Sequence, residues 1–98
     1  MKFQVGKLVT TKGVYDVMAL SLQFRKHVAD GLARHIKGDW GDLPESDKAV
    51  NNAALKSGGR LMSAYRFKYA GGEKRAWRVW IITEANRATT TVLFPNEY

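Results

Sequence analysis

The chain contains no cysteine, no uninterrupted apolar run longer than a few residues, and few acids for its number of bases. The lack of cysteine excludes disulfides, which staple most small secreted domains, and any cysteine-based zinc site. The shortness of the apolar runs excludes a membrane-spanning helix: Val79-Trp80-Ile81-Ile82 falls far below the roughly 20 residues a bilayer requires. The opening Met1-Lys2-Phe3-Gln4 loses its apolar character too early for a secretory signal, so the expected location is cytoplasmic, with no membrane partner. There is no HExxH, cysteine pair or glycine-rich phosphate loop, and no internal repeat or low-complexity tract.

What is present is a chain of 98 residues, 45% hydrophobic and 26% charged, a composition that suits one globular domain over residues 1–98. A domain this small buries roughly 60 to 65% of its surface, so its core has little margin. The formal charge is +7, unevenly spread. Residues 1–47 hold seven Lys and Arg against six acids, whereas residues 48–98 hold nine against three. Nearly all the field therefore belongs to the second half, which points to a polyanionic partner.

Phe3 to Thr10 is rich in β-formers and reads as a strand. A short helical stretch from Val14 to Leu20 follows, either separate or merged with the next helix. Ser21 is a candidate N-cap for that longer helix, whose Phe24, Val28, Leu32 and His35 or Ile36 form one stripe, and Gly38 stops it. Asp42-Leu43-Pro44-Glu45 has the form of a further helix start, with Asp42 as cap, and Gly58-Gly59 ends that helix. From Arg60 the period changes to two. Residues 60–69, 77–82 and 89–94 read as an antiparallel three-strand meander with turns at 70–73 and 84–87. The expected fold is α+β, ordered strand, helix, helix, strand, strand, strand, with an antiparallel sheet covered by helices on one face.

Three features are candidates for chemistry. On the meander, an odd loop count between its first two strands places Tyr65, Phe67, Trp77, Val79 and Ile81 on the inner face, with Met62, Arg66, Lys68, Arg78 and Trp80 outside, whereas an even count shuffles the faces and sets Arg66 beside Trp77. Cations interleaved with an aromatic suit phosphate contact and base stacking, and Arg75 and Arg87 extend the basic set. The plain alternative is a solvated face whose charges guard against edge pairing. The second feature is His35-Ile36-Lys37-Gly38-Asp39-Trp40-Gly41-Asp42. A histidine near Asp39 and Asp42 raises a metal or acid-base site, but nothing else in the chain completes one. The preferred reading is a structural junction with Trp40 in the core, Asp42 as cap and His35 on the helix flank; no catalytic residue, metal or cofactor is expected. The third is the turn carrying Glu84, Asn86 and Arg87, read either as a local Glu84–Arg87 ion pair or as a partner-contacting loop. Tyr98 reads either as a stacking or proton-donating group or, the preferred reading, as an aromatic packed on the sheet.

The junction from Arg34-His35 through Gly38-Asp39-Trp40-Gly41-Asp42-Leu43, together with Arg60 to Tyr65 and Trp80 to Arg87 through Pro95-Asn96-Glu97-Tyr98, resembles a family of small bacterial proteins carried on plasmids and integrative elements. The resemblance covers roughly residues 20–98. It implies bacterial, cytoplasmic and mobile-element origin, and brings no activity or site. Mobile elements carry anti-CRISPR and anti-restriction factors, so the expected function is a non-enzymatic binding protein acting on nucleic acid or a host-defence nucleoprotein complex. The element order also resembles RelE/ParE-type toxins, ribosome-dependent RNases in which sheet arginines and a late tyrosine serve chemistry. Arg66, Arg78, Arg87 and Tyr98 fit those parts, although the Gly-Asp-Trp-Gly junction and acidic second helix depart from that pattern. A third reading is a homodimer joined through Met62, Trp80 and Ile82.

Overall fold

The computed structural model describes residues 2–68 and 76–98, with backbone alone at 67, 68, 76 and 77. Strand β1 (Lys7–Thr10) leads into α1 (Lys12–Leu20) and α2 (Leu22–Ile36); α3 (Glu45–Ser57) precedes β2 (Leu61–Lys68), β3 (Ala76–Thr83) and β4 (Thr89–Leu93), and a 3-10 turn (Pro95–Glu97) follows.

Each helix boundary has a local cause. Thr11 caps α1 by accepting a hydrogen bond from the Val14 amide, 3.4 Å. Ser21 adopts an extended backbone, closes α1 and caps α2 by accepting from the Phe24 amide at 3.1 Å. The short stretch therefore remains a separate helix, because one serine serves both ends. Gly38 and Gly58 adopt positive φ and terminate α2 and α3. Asp42 is not the cap of α3: Pro44 holds the N-cap position without a side-chain bond, and the Asp42 carboxylate instead accepts from the Arg66 amide at 2.7 Å.

The fold is α+β, but the sheet is mixed and the expected order needs two corrections. Its four strands run β1-β4-β3-β2; the β2-β3-β4 meander is antiparallel, while β1 lies parallel to β4, Leu8 beside Thr90. Three helices, not two, separate β1 from β2. A strand returning after helices has a long enough connection to lie parallel, which no two-residue turn allows.

The inner face carries the main core: Tyr65, Val79, Ile81 and Val92 pack beneath Val14 of α1 and Phe24 and Val28 of α2. Gly31 brings α2 close, since a methyl there would lie 3.1 Å from the Tyr65 ring. The third helix does not share that layer. It lies along the β2 edge, where Ala54 packs with Trp40 and Leu61. Asn51 bonds both the amide and carbonyl of Met62, at 3.1 and 2.6 Å, and residues 40–42 bridge to Ala64. The Ala64 amide donates to the Trp40 carbonyl at 3.3 Å, and the Asp42 amide donates to the Ala64 carbonyl at 2.7 Å. This edge is thereby closed to further pairing. Among the described residues, no helix is long and apolar enough to cross a membrane.

Candidate functional site

The outer face of the meander lies opposite the α1–α2 layer. Lys68 pairs with Ala76 across an odd number of intervening residues, so Met62, Ala64 and Arg66 share this face with Arg78, Trp80 and Ile82. Arg66 stands directly across from Arg78, and both are exposed. Among the described residues neither guanidinium has an acidic partner. The next pair on the face is Ala64 opposite Trp80, so the half-buried indole lies two residues along β3 from Arg78, about 7 Å at ordinary strand rise.

Tyr98 completes the surface from the far end of the chain. Its ring meets Trp80 edge-on, with centroids 5.6 Å apart, and remains two-thirds exposed. The Arg60 guanidinium lies 5.2 Å from the Tyr98 ring centroid and donates to the phenol oxygen at 2.5 Å. Arg60 also approaches Glu84 at 3.5 Å. Sequence reasoning passed over Arg60, yet it stands at the same parity as Arg66, a spacing sufficient to find it. A cleft lined by Leu43, Asp47, Val50, Asn51, Arg60 and Met62 adjoins this face along α3.

Arg87 is placed elsewhere. Its backbone holds a positive φ of 60°, and its guanidinium donates to the carbonyls of Gly59 (2.6 Å), Glu84 (3.2 Å) and Ala54 (3.3 Å). The turn therefore clamps the C-terminus of α3, and the Glu84 carboxylate pairs with Arg60 rather than with Arg87. Arg75 lies outside the described residues, as do Tyr69 and the turn at 70–73; for Lys68 and Trp77 only the backbone is described. Ile82 is 3% exposed and already part of the interior, which leaves Met62 and Trp80 of the apolar patch considered for self-association.

The junction residues diverge from one another. Asp39 binds Arg34 at 2.8 Å and the Gly41 amide at 3.1 Å, and the Arg34 bond holds its carboxyl below the usual range. Trp40 is buried and donates to the Asn52 side chain at 2.9 Å. His35 is not on a flank but in the interior, edge-on to Phe3 and Trp40. Its Nδ1 lies 2.6 Å from the Ser63 hydroxyl and its Nε2 lies 2.9 Å from that of Thr83. Thr83 lies 2.7 Å from the Thr90 hydroxyl, which donates to the Val5 carbonyl at 2.7 Å. A carbonyl can only accept, so the protons are assigned in sequence. Thr90 donates to Val5, Thr83 to Thr90, His35 Nε2–H to Thr83, and Ser63 to His35 Nδ1. The ring is neutral in this arrangement, and burial lowers its pKa to about 4. No substrate reaches a chain of groups that is fully enclosed. Among the described residues, no three His, Cys, Asp or Glu side chains are grouped to hold a metal.

Compared with protein-family models, curated proteins and solved structures, the chain matches none of them significantly.

Proposed function

We propose that this chain is a binding protein whose outer sheet face takes nucleic acid, free or within a nucleoprotein complex, and that it acts without catalysis. The observation that supports this most is the opposition of Arg66 and Arg78 across β2 and β3. Like charges directly opposed on a sheet destabilise it, and no acid among the described residues forms an ion pair with either guanidinium, the Asp42 carboxylate accepting instead from the Arg66 amide. A phosphate set between the two guanidinium groups relieves it through charge-assisted hydrogen bonds. The chain's charge of +7 adds long-range attraction in the same sense.

A toxin-like ribonuclease is less well supported. Two of the four groups that fit such chemistry are engaged elsewhere, Arg87 on the α3 carbonyls and Tyr98 with Arg60. The mobile-element setting rests on the resemblance of the junction and C-terminal motifs.

Binding of a fluorescent oligonucleotide across a salt series tests the proposal. Affinity falls steeply with salt, and Arg66→Gln or Arg78→Gln each flatten the log–log slope by about 0.7 to 1. Absence of binding at about 50 mM salt, where phosphate contacts are strong, overturns it.

A further inference from the structure

We propose, resting on the reading above, that the occupant of this face is single-stranded nucleic acid, with a base stacked on the Tyr98–Trp80 pair and adjacent phosphates held by Arg66 and Arg78. The argument starts from which aromatic surface is open. Tyr98 is 67% exposed, yet its position is held from two sides, by Trp80 edge-on at 5.6 Å and by Arg60 at its ring and hydroxyl. A ring held in place while one surface stays in water is prepared for stacking, because little conformational freedom remains to be lost.

Geometry separates single strand from duplex. The bases of a duplex are stacked on one another, and taking one out requires unpairing as well as unstacking. An unpaired strand offers its base faces directly, and each base stacked on an aromatic side chain contributes about 1 to 3 kcal/mol by alanine substitution, or about 5- to 150-fold in affinity. The cations stand at a compatible reach: Arg78 lies two residues along β3 from Trp80, with Arg66 opposite Arg78. The backbone then follows the arginine pair while a base turns toward the aromatic pair. The cleft beyond Arg60 is lined by the Asp47 carboxylate as well as by Leu43, Val50 and Met62, so the phosphate track ends at the arginine pair and does not continue along α3.

The test compares a fluorescein-labelled oligothymidylate with a duplex of equal length, for the unaltered chain and for Tyr98→Ala, Tyr98→Phe and Arg66→Gln. The unaltered chain is expected to prefer the single strand. Tyr98→Ala lowers single-strand affinity about 5- to 150-fold with an unchanged salt slope, and Tyr98→Phe, which keeps the ring, recovers most of it. Arg66→Gln flattens the salt slope by about 0.7. If Tyr98→Ala leaves single-strand affinity unchanged while Arg66→Gln weakens it, the stacking inference falls and phosphate binding on this face stands. Equal affinity for duplex and single strand also overturns the inference. If neither nucleic acid binds, the underlying reading falls with it.

Discussion

Replacing His35 by glutamine removes the only ring in a sealed chain of hydroxyl groups, and the chain's proton order makes the consequence calculable. In the folded protein His35 is neutral because both nitrogens are committed, Nε2–H toward Thr83 and Nδ1 accepting from Ser63. Adding a proton gives Nδ1 a hydrogen that faces the Ser63 hydroxyl, with no acid among the described residues beside the ring. Burial alone lowers the pKa from 6.5 to about 4. The folded value is the lower one, so the unfolded chain takes up the proton first as pH falls. His35 thus leaves stability intact above about pH 6.5 and withdraws it progressively down to about pH 4. A shift of this size corresponds to about 3 kcal/mol, a large part of the roughly 5 to 15 kcal/mol that holds a small domain folded. Burial lowers the His27 pKa as well, against an opposing contact with the Tyr65 carbonyl, and adds a loss of the same sign. Urea unfolding from about pH 8 to about pH 4, on the unaltered chain and on His35→Gln, isolates the His35 part by difference. The variant is less stable at neutral pH, through lost packing on Phe3 and Trp40, but its stability declines less steeply with acid. Parallel pH profiles, or a His35 ring that titrates near 6.5 in the folded state, refute the reasoning.

Other changes give sharp expectations. Gly41 holds a φ of 72° where a methyl would collide with the Ala64 carbonyl and the Tyr65 ring, so Gly41→Ala costs more than about 3 kcal/mol or prevents folding, read by thermal unfolding. Arg87→Ala strips the Gly59 and Ala54 carbonyls of a charged donor and lowers stability by about 2 kcal/mol; Arg87→Lys, a point charge without the planar fork, recovers less than half by the same measurement. Asn51→Asp turns a donor toward the Met62 carbonyl into an acceptor, and hydrogen exchange then shows weakened protection at the β2 edge, whereas an edge held by α3 packing alone would show none.

The parts of this fold that local chemistry determines were legible from residue order. Ser21, Gly38 and Gly58 mark helix ends because each satisfies or permits a terminus within one turn, and the period-two runs of β2 and β3 follow from one buried face. What was not legible depends on partners distant in the chain. The parallel pairing of β1 with β4 joins Lys7 to Thr89 and leaves no mark on either segment. Asp42 looks like a cap because aspartate usually is one before a proline; its true partner, the Arg66 amide, lies 24 residues on. His35 fits a helix flank or a core stripe equally well until Ser63 and Thr83 are brought to it. At the candidate site, the arginines of β2 and β3 follow from strand parity. Tyr98 stands out in the sequence as a late aromatic, but its place beside Trp80 and Arg60 comes only from the fold, and Arg87 leaves the set because its turn folds back on α3.

The central claim is a location, and an amide and indole NMR titration with a short single-stranded oligonucleotide tests it most directly. The account predicts shifts concentrated at Arg66, Arg78, the Trp80 indole and Tyr98, disappearing as salt is raised. Shifts centred instead on Tyr15, Leu20 and Leu22, the exposed apolar residues of α1 and α2, or no shifts at low salt, would contradict it.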